Sequence, residues 1–272
     1  MTPRPLPPRT GRPYLDHVRD HPGAVLAFAH RGGAYHPDLE GLENTMQAFR
    51  HASALGYRYL ETDVHATADG VLLAFHDAVL DRVTDRQGAI AGLTHAEVRE
   101  ARVGGREEVP ALAQLVDELP RGTRFNIDLK SDNAVRPLAD FVAARGLWDD
   151  VLVGSFGIAR MREFRRLTQG RVATSASPSE VAAFLVRPSR RAAFDALQVP
   201  RRRGRLPVLT PRLLRTAHAA GKHVHVWTID TRDEIHELAG LGVDGLFTDR
   251  TDVLKDALVE RGQWLDPGRD PR

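Results

Sequence analysis

Eight short apolar runs, spaced along the chain and separated by segments of helical periodicity, limit what these 272 residues can fold into. They are VLAFA (25–29), YLETDV (59–64), RFNIDL (124–129), VLVGSF (151–156), RVATS (171–175), DALQVP (195–200), HVHVWT (223–228) and GLFTD (245–249). Parallel strands covered on both faces read as near-continuous apolar stretches, and short runs of this kind suit them. The intervening segments carry helix punctuation. In NTMQAFRHASALG, Asn44 can cap the helix, Gln47 can reach back, and Gly56 ends it. PRLLRTAHAAG starts at Pro211 and stops at Gly221, and TRDEIHELAGLG opens on Thr231 and closes at Gly240 or Gly242. Eight strands alternating with helices in a chain of this length predict an α/β fold, a single-domain (β/α)8 TIM barrel. A doubly wound open sheet is the alternative, but no Gly-rich dinucleotide fingerprint follows the first run. The barrel is placed at residues 23–261, between an N-terminal extension (1–22) and a C-terminal tail (262–272). The Pro-, Arg- and Asp-rich ends, 1 to about 13 and 262–272, read as frayed.

Composition removes several classes of function. The 38 basic residues are nearly matched by 36 acidic ones, so the net charge of +2 does not describe a nucleic-acid binder. The one concentrated basic run, RRRGR (201–205), reads as a solvated loop. No apolar run approaches the roughly 20 residues that span a bilayer, so no stable membrane insertion is expected. The opening MTPRPLPPRTGRP lacks an apolar segment, which predicts a cytoplasmic protein. With no cysteine, thiolate chemistry is absent and any metal must be held by oxygen and imidazole.

In a barrel of this type the active site lies at the C-terminal ends of the strands. The first run ends in FAHRGG, which delivers His30 and Arg31 to that rim. Arg offers a fixed positive fork for phosphate or carboxylate, and His moves protons near neutral pH. Glu61 and Asp63 are two residues apart on a strand and share a face; Asp128 and Lys130 repeat that geometry on the next. Three inward carboxylates repel one another unless a cation sits among them, and an oxygen-only ligand set suits Mg²⁺ or Ca²⁺. After the second run, Asp69-Gly70 marks a hairpin turn, and the returning VLLAF brings His76 and Asp77 back to the same rim. Two histidines flanking a metal held by acids suit a general acid and base at a phosphorus centre. Glu43 and Asn44 read either as the start of a capped helix or as groups orienting His30 and Arg31. Trp227 reads as an apolar wall for substrate or as a core residue, and Phe156 carries the same ambiguity.

Taken in order, HRGG, ENTMQAF, LETDV, ADGVLLAFHD, FNIDLK, SF, VWT and DGLFTD resemble the glycerophosphodiester phosphodiesterase family of metal-dependent TIM-barrel hydrolases, over about residues 25–259. The resemblance implies hydrolysis of a small-molecule glycerophosphodiester to glycerol phosphate and an alcohol, with His30 and His76 as the acid/base pair. It implies a divalent metal held by Glu61, Asp63 and Asp128, with Arg31 and Lys130 near the phosphate. Three departures accompany it. Position 128 is Asp where the family commonly has Glu, the 34–41 loop AYHPDLEG is longer than in compact members, and His65 stands where Gln is frequent. The alternatives are phospholipase D-like hydrolysis of a lysophospholipid or sphingolipid, and a catalytically silent barrel that binds glycerophosphodiesters. The alcohol group, the metal, the oligomeric state and the division of labour between the histidines are not legible.

Overall fold

The computed structural model describes residues 6–265. All eight expected strands form: β1 (Leu26–Ala29), β2 (Tyr59–Ala66), β3 (Arg124–Leu129), β4 (Val151–Gly154), β5 (Ala173–Thr174), β6 (Ala196–Pro200), β7 (His223–Trp227) and β8 (Gly245–Thr248). Each pairs in parallel with its sequence neighbour, and β1 also pairs with β8. The seam between β5 and β6 is joined by a Ser175–Ala196 bridge, with Ala176 N–H donating to the Ala196 carbonyl at 2.9 Å. Each strand is followed by a helix: α1 (Met46–Ala54), α2 (Leu112–Glu118), α3 (Val135–Arg145), α4 (Ile158–Leu167), α5 (Pro178–Val186), α6 (Pro211–Ala219), α7 (Arg232–Leu241) and α8 (Thr251–Glu260). This is the (β/α)8 barrel.

Strand alternation sorts the core into two layers. Ala27, Leu60, Ile127, Val153, Leu197, Val224 and Leu246 face outward and pack with helix residues such as Phe49, Leu138 and Phe164. Leu26, Phe28, Tyr59, Leu152 and Phe247 fill the barrel interior. Phe28 stacks on Phe247 with centroids 4.3 Å apart. A Cβ on Gly245 would lie 2.7 Å from Phe28 and 2.9 Å from His225, so the filled interior requires glycine there.

The N-terminal segment is tied down rather than frayed over its described residues. Within the stretch expected to fray, the Pro8 carbonyl lies 3.0 Å from His223 Nε2 and Arg12 Nε donates to Asp195 Oδ1 at 3.2 Å. Just beyond it, Tyr14, Leu15 and Val18 are buried in the interior cluster, and Tyr59 Oη donates to the Tyr14 carbonyl at 2.9 Å. At the other end, Trp264 packs on Tyr57 and Leu265 is buried. The parts of the expected frayed ends at 1–5 and 266–272 lie outside the described residues.

Two local expectations change. Helix α1 is capped by Thr45, whose hydroxyl accepts from Ala48 N–H, and not by Asn44, which adopts φ 57°. The basic run is not wholly loop: Arg202–Arg203 pairs with Leu206–Pro207 as a small antiparallel hairpin. The turn at Asp69-Gly70 leads to Leu72–Ala74 running antiparallel to β2. Beyond it, residues 75–111 build a small lobe on Phe75, Leu80, Ile90, Val98, Val103 and Val109. Among the described residues, no helix is long and apolar enough to cross a membrane.

Candidate active site

At the C-terminal rim a cavity of about 730 Å³ is lined by His30, Arg31, Glu61, Asp63, His76, Asp128, Lys130 and Trp227, with Asn126, Phe156 and Gln198 among its other walls. Eight of the ten site residues expected from sequence thus meet in one cavity. The other two, Glu43 and Asn44, lie behind it and contact Arg31 and Asp63.

FAHRGG works as a tight rim turn. Gly32 has φ 83° and Gly33 φ 95°, and a Cβ would reach 2.7 Å from Ala48 at the first and 2.7 Å from Thr251 at the second. Chain direction and helix packing both demand the glycine pair. Arg31 is itself left-handed, at φ 50°, with its backbone N–H donating to Glu61 Oε2 at 2.9 Å. Strain of this kind persists only where surrounding contacts fix it.

Each histidine is held by its own carboxylate. His30 Nδ1 lies 2.7 Å from Asp249 Oδ1, and His76 Nδ1 lies 2.6 Å from Asp77 Oδ1. Burial alone would lower the His30 pKa, but the Glu61 charge, 3.9 Å from Nε2, and the Asp249 hydrogen bond raise it to about 9. Asp77 is held down at about 2: burial opposes its charge, but hydrogen bonds from Arg82 and His76 outweigh it. Arg82 also forks onto Glu43, at 2.6 and 3.0 Å, and Glu43 accepts from Arg31 Nη1 at 3.1 Å. A continuous run of alternating charges therefore joins His76 to Arg31.

The acids are partly neutralised by the protein itself. Lys130 Nζ stands between Asp63 Oδ1 (2.9 Å) and Asp128 Oδ2 (2.7 Å), and Arg31 Nε lies 3.3 Å from Asp63 Oδ2. Repulsion among the three acids thus does not by itself demand an inorganic ion, which corrects the sequence argument. Asn44 Nδ2 donates to Asp63 Oδ2 at 3.0 Å while its Oδ1 accepts from Thr62. Burial, opposed most strongly by Lys130 and Arg31, leaves the Asp63 carboxyl below its usual range. Glu61 is pushed up to about 7 by burial and by Asp63. Asp128 Oδ1 is buried with no hydrogen-bond partner. An orphaned carboxylate oxygen marks unmet demand for positive charge, and all-oxygen donors are the kind a hard divalent cation takes. As arranged here, Lys130 stands between Asp63 and Asp128, and the three expected ligands do not offer oxygens that all lie within 4.8 Å of one another.

Five contributors were not assigned from sequence. Asp249 and Asp77 had been seen only as neighbours of the rim, Arg82 lay in the unassigned lobe, and Arg202 and Arg203 of the basic run line the cavity mouth. His65 does not line the cavity; its Nε2 lies 3.1 Å from the His76 carbonyl and fixes the hairpin. The cavity's outer wall is apolar, with Phe156, Pro178, Val181, Ala182, Leu185 and Trp227.

The sequence profile of the glycerophosphoryl diester phosphodiesterase family matches residues 30–253. The chain belongs to that family. It is accordingly an enzyme, a phosphoric diester hydrolase. It is 39% identical to the Mycobacterium tuberculosis (strain ATCC 25618 / H37Rv) protein named "Probable glycerophosphodiester phosphodiesterase 2", over 93% of this chain and 97% of that one. A crystal structure from Silicibacter pomeroyi DSS-3, of a protein given the same family name, superposes with a TM-score of 0.78 at 25% identity, covering 93% of this chain and 99% of that one. An Oleispira antarctica phosphodiesterase, solved in complex with the product sn-glycerol-3-phosphate, shares the fold at a TM-score of 0.72 and 20% identity, covering 87% and 97% of the two chains.

Proposed function

We propose that this chain hydrolyses a glycerophosphodiester to glycerol phosphate and an alcohol at the C-terminal rim of its barrel. One observation carries the reading: His30 and His76 come from different elements, each has its Nδ1 held by an aspartate, and both open into one cavity with Arg31 and Lys130. An imidazole held at Nδ1 presents Nε2 in a fixed direction, as proton transfer requires. One histidine takes the proton of the attacking hydroxyl, from water or from the substrate's own glycerol, and the other donates a proton to the departing alkoxide. Arg31 and Lys130 supply fixed positive charge toward the phosphoryl oxygens, where charge develops in the transition state. Glu61, Asp63 and Asp128 would hold a divalent ion, Mg²⁺ or Ca²⁺, which when bound polarises a phosphoryl oxygen. Trp227 and Phe156, with ring centroids 6.1 Å apart, form a wall for the alcohol side.

The apolar outer wall favours a second reading, in which the diester is a lysophospholipid whose chain lies along α5. Incubating the protein with glycerophosphocholine and with lysophosphatidylcholine, each with Mg²⁺ and with EDTA, tests both. Glycerol phosphate released from glycerophosphocholine in Mg²⁺ supports the first reading. Lysophosphatidic acid formed faster than glycerol phosphate supports the second. Turnover of neither substrate in any divalent metal overturns the reading.

A further inference from the structure

Outside the catalytic cavity, His36 and Asp38 on the 34–41 loop meet His51 on α1. One donor atom from each can be chosen so that all lie within 4.8 Å of one another, a grouping that a small rotamer adjustment would close around an ion. We propose that these three side chains bind a zinc-class divalent ion that clips the 34–41 loop onto α1, separate from the oxygen-ligated centre.

Three features support the assignment. The donor set is two imidazoles and one carboxylate, which suits Zn²⁺ and its borderline-soft neighbours rather than Mg²⁺ or Ca²⁺. Three protein ligands also leave a fourth tetrahedral position for water. The rings of His36 and His51 lie against each other, tilted by 54° with centroids 4.3 Å apart, and His51 Nε2 is buried with no hydrogen-bond partner among the described residues. A buried ring nitrogen without a partner is costly unless something completes it.

The loop is already folded for this contact. His36 is buried, and its Nδ1 accepts from the Asp38 backbone N–H at 3.2 Å and lies 3.9 Å from the Asp38 carboxylate. Asp38 is largely exposed, which leaves an approach from solvent. Asp252, on α8, adds negative charge felt at His51. None of the three ligands lines the catalytic cavity. The loop nevertheless runs through buried Leu39 and Leu42 directly into Glu43 and Asn44, which contact Arg31 and Asp63. An ion here would therefore stiffen the segment that feeds the active site without entering it.

The test uses full-length protein stripped with chelator and then saturated with Mg²⁺, so that the oxygen-ligated centre is satisfied before ZnCl2 is titrated. Wild type is expected to bind one further equivalent by calorimetry. At a hundredfold excess over Kd its Tm should rise by roughly 5–10 °C, the increment expected for a ligand bound only by the folded state. His36→Ala/His51→Ala and the milder His51→Gln should each lose that zinc-dependent increment, whatever their Tm without zinc, while keeping Mg²⁺-supported turnover. Absence of the increment in wild type, or its full retention in both variants, would overturn the proposal. The outcome does not depend on the identity of the phosphodiester substrate.

Discussion

His30 and Asp249 meet at 2.7 Å, Nδ1 to Oδ1, although 219 residues separate them, because β1 and β8 are neighbours across the barrel. With Glu61 on its other side, the imidazole is held at a pKa of about 9 despite a burial that opposes its charge. Asp249→Asn keeps the shape and removes the charge. The His30 resonance in a ¹⁵N NMR titration should then move to lower pH, and kcat should fall by roughly 10²-fold with little change in KM, as when a partner orienting a reactive imidazole is lost. An unmoved titration would mean that Asp249 does not set the state of His30.

Arg82 joins the two halves of the site, with Nε 2.5 Å from Asp77 and its fork on Glu43. Arg82→Ala should lower kcat by roughly 10- to 100-fold while the folded state persists, because both His76 and Arg31 lose an indirect support. Arg82→Lys should recover only part of that loss, since an ammonium cannot reproduce the bidentate contact. Full recovery with Lys would show that charge alone matters.

At position 128, Asp128→Asn should lose most of the Mg²⁺-dependent turnover, whereas Asp128→Glu should keep or improve it. Asn removes the charge that the buried, unpartnered Oδ1 offers to a cation, and Glu extends it. Metal titrations of activity for the three proteins give the comparison. Equal activity of the Asn variant and wild type would take Asp128 out of the metal shell.

The barrel interior predicts acid sensitivity. Burial and nearby His223 hold His225 neutral down to about pH 3 in the folded state. The unfolded chain takes up that proton near pH ~6.5. It therefore binds more protons between these values, and stability falls as pH drops from about 6.5 toward 3. His225→Asn should show a shallower fall of Tm between pH 7 and pH 5 than wild type. Parallel falls would assign the sensitivity to other groups.

The barrel was legible in the sequence because buried parallel strands need continuous apolar runs, and the paired acids were legible because residues two apart on a strand share a face. The missing parts depend on contacts that local patterns do not encode. Asp249 reaches His30 only through barrel closure, and Arg82 reaches Glu43 only through the packing of the 75–111 lobe. Asn44 looked like a helix cap, but its amide is drawn to Asp63 and Thr62, and the cap passes to Thr45. The Pro- and Arg-rich start suggested fraying because its anchors, the Pro8 carbonyl at His223 and Arg12 at Asp195, are contacts with distant parts of the barrel that composition does not encode.

The most direct measurement of the account compares His30→Ala and His76→Ala on glycerophosphocholine and on a diester with a p-nitrophenolate leaving group, in Mg²⁺. On glycerophosphocholine each should lose roughly 10²- to 10⁴-fold in kcat, the range for loss of a positioned proton transfer. p-Nitrophenolate departs without a proton, so it should restore the variant lacking the acid and leave the variant lacking the base impaired. Near-normal kcat for either folded variant on glycerophosphocholine, or rescue of neither variant by the activated leaving group, would contradict the two-histidine account.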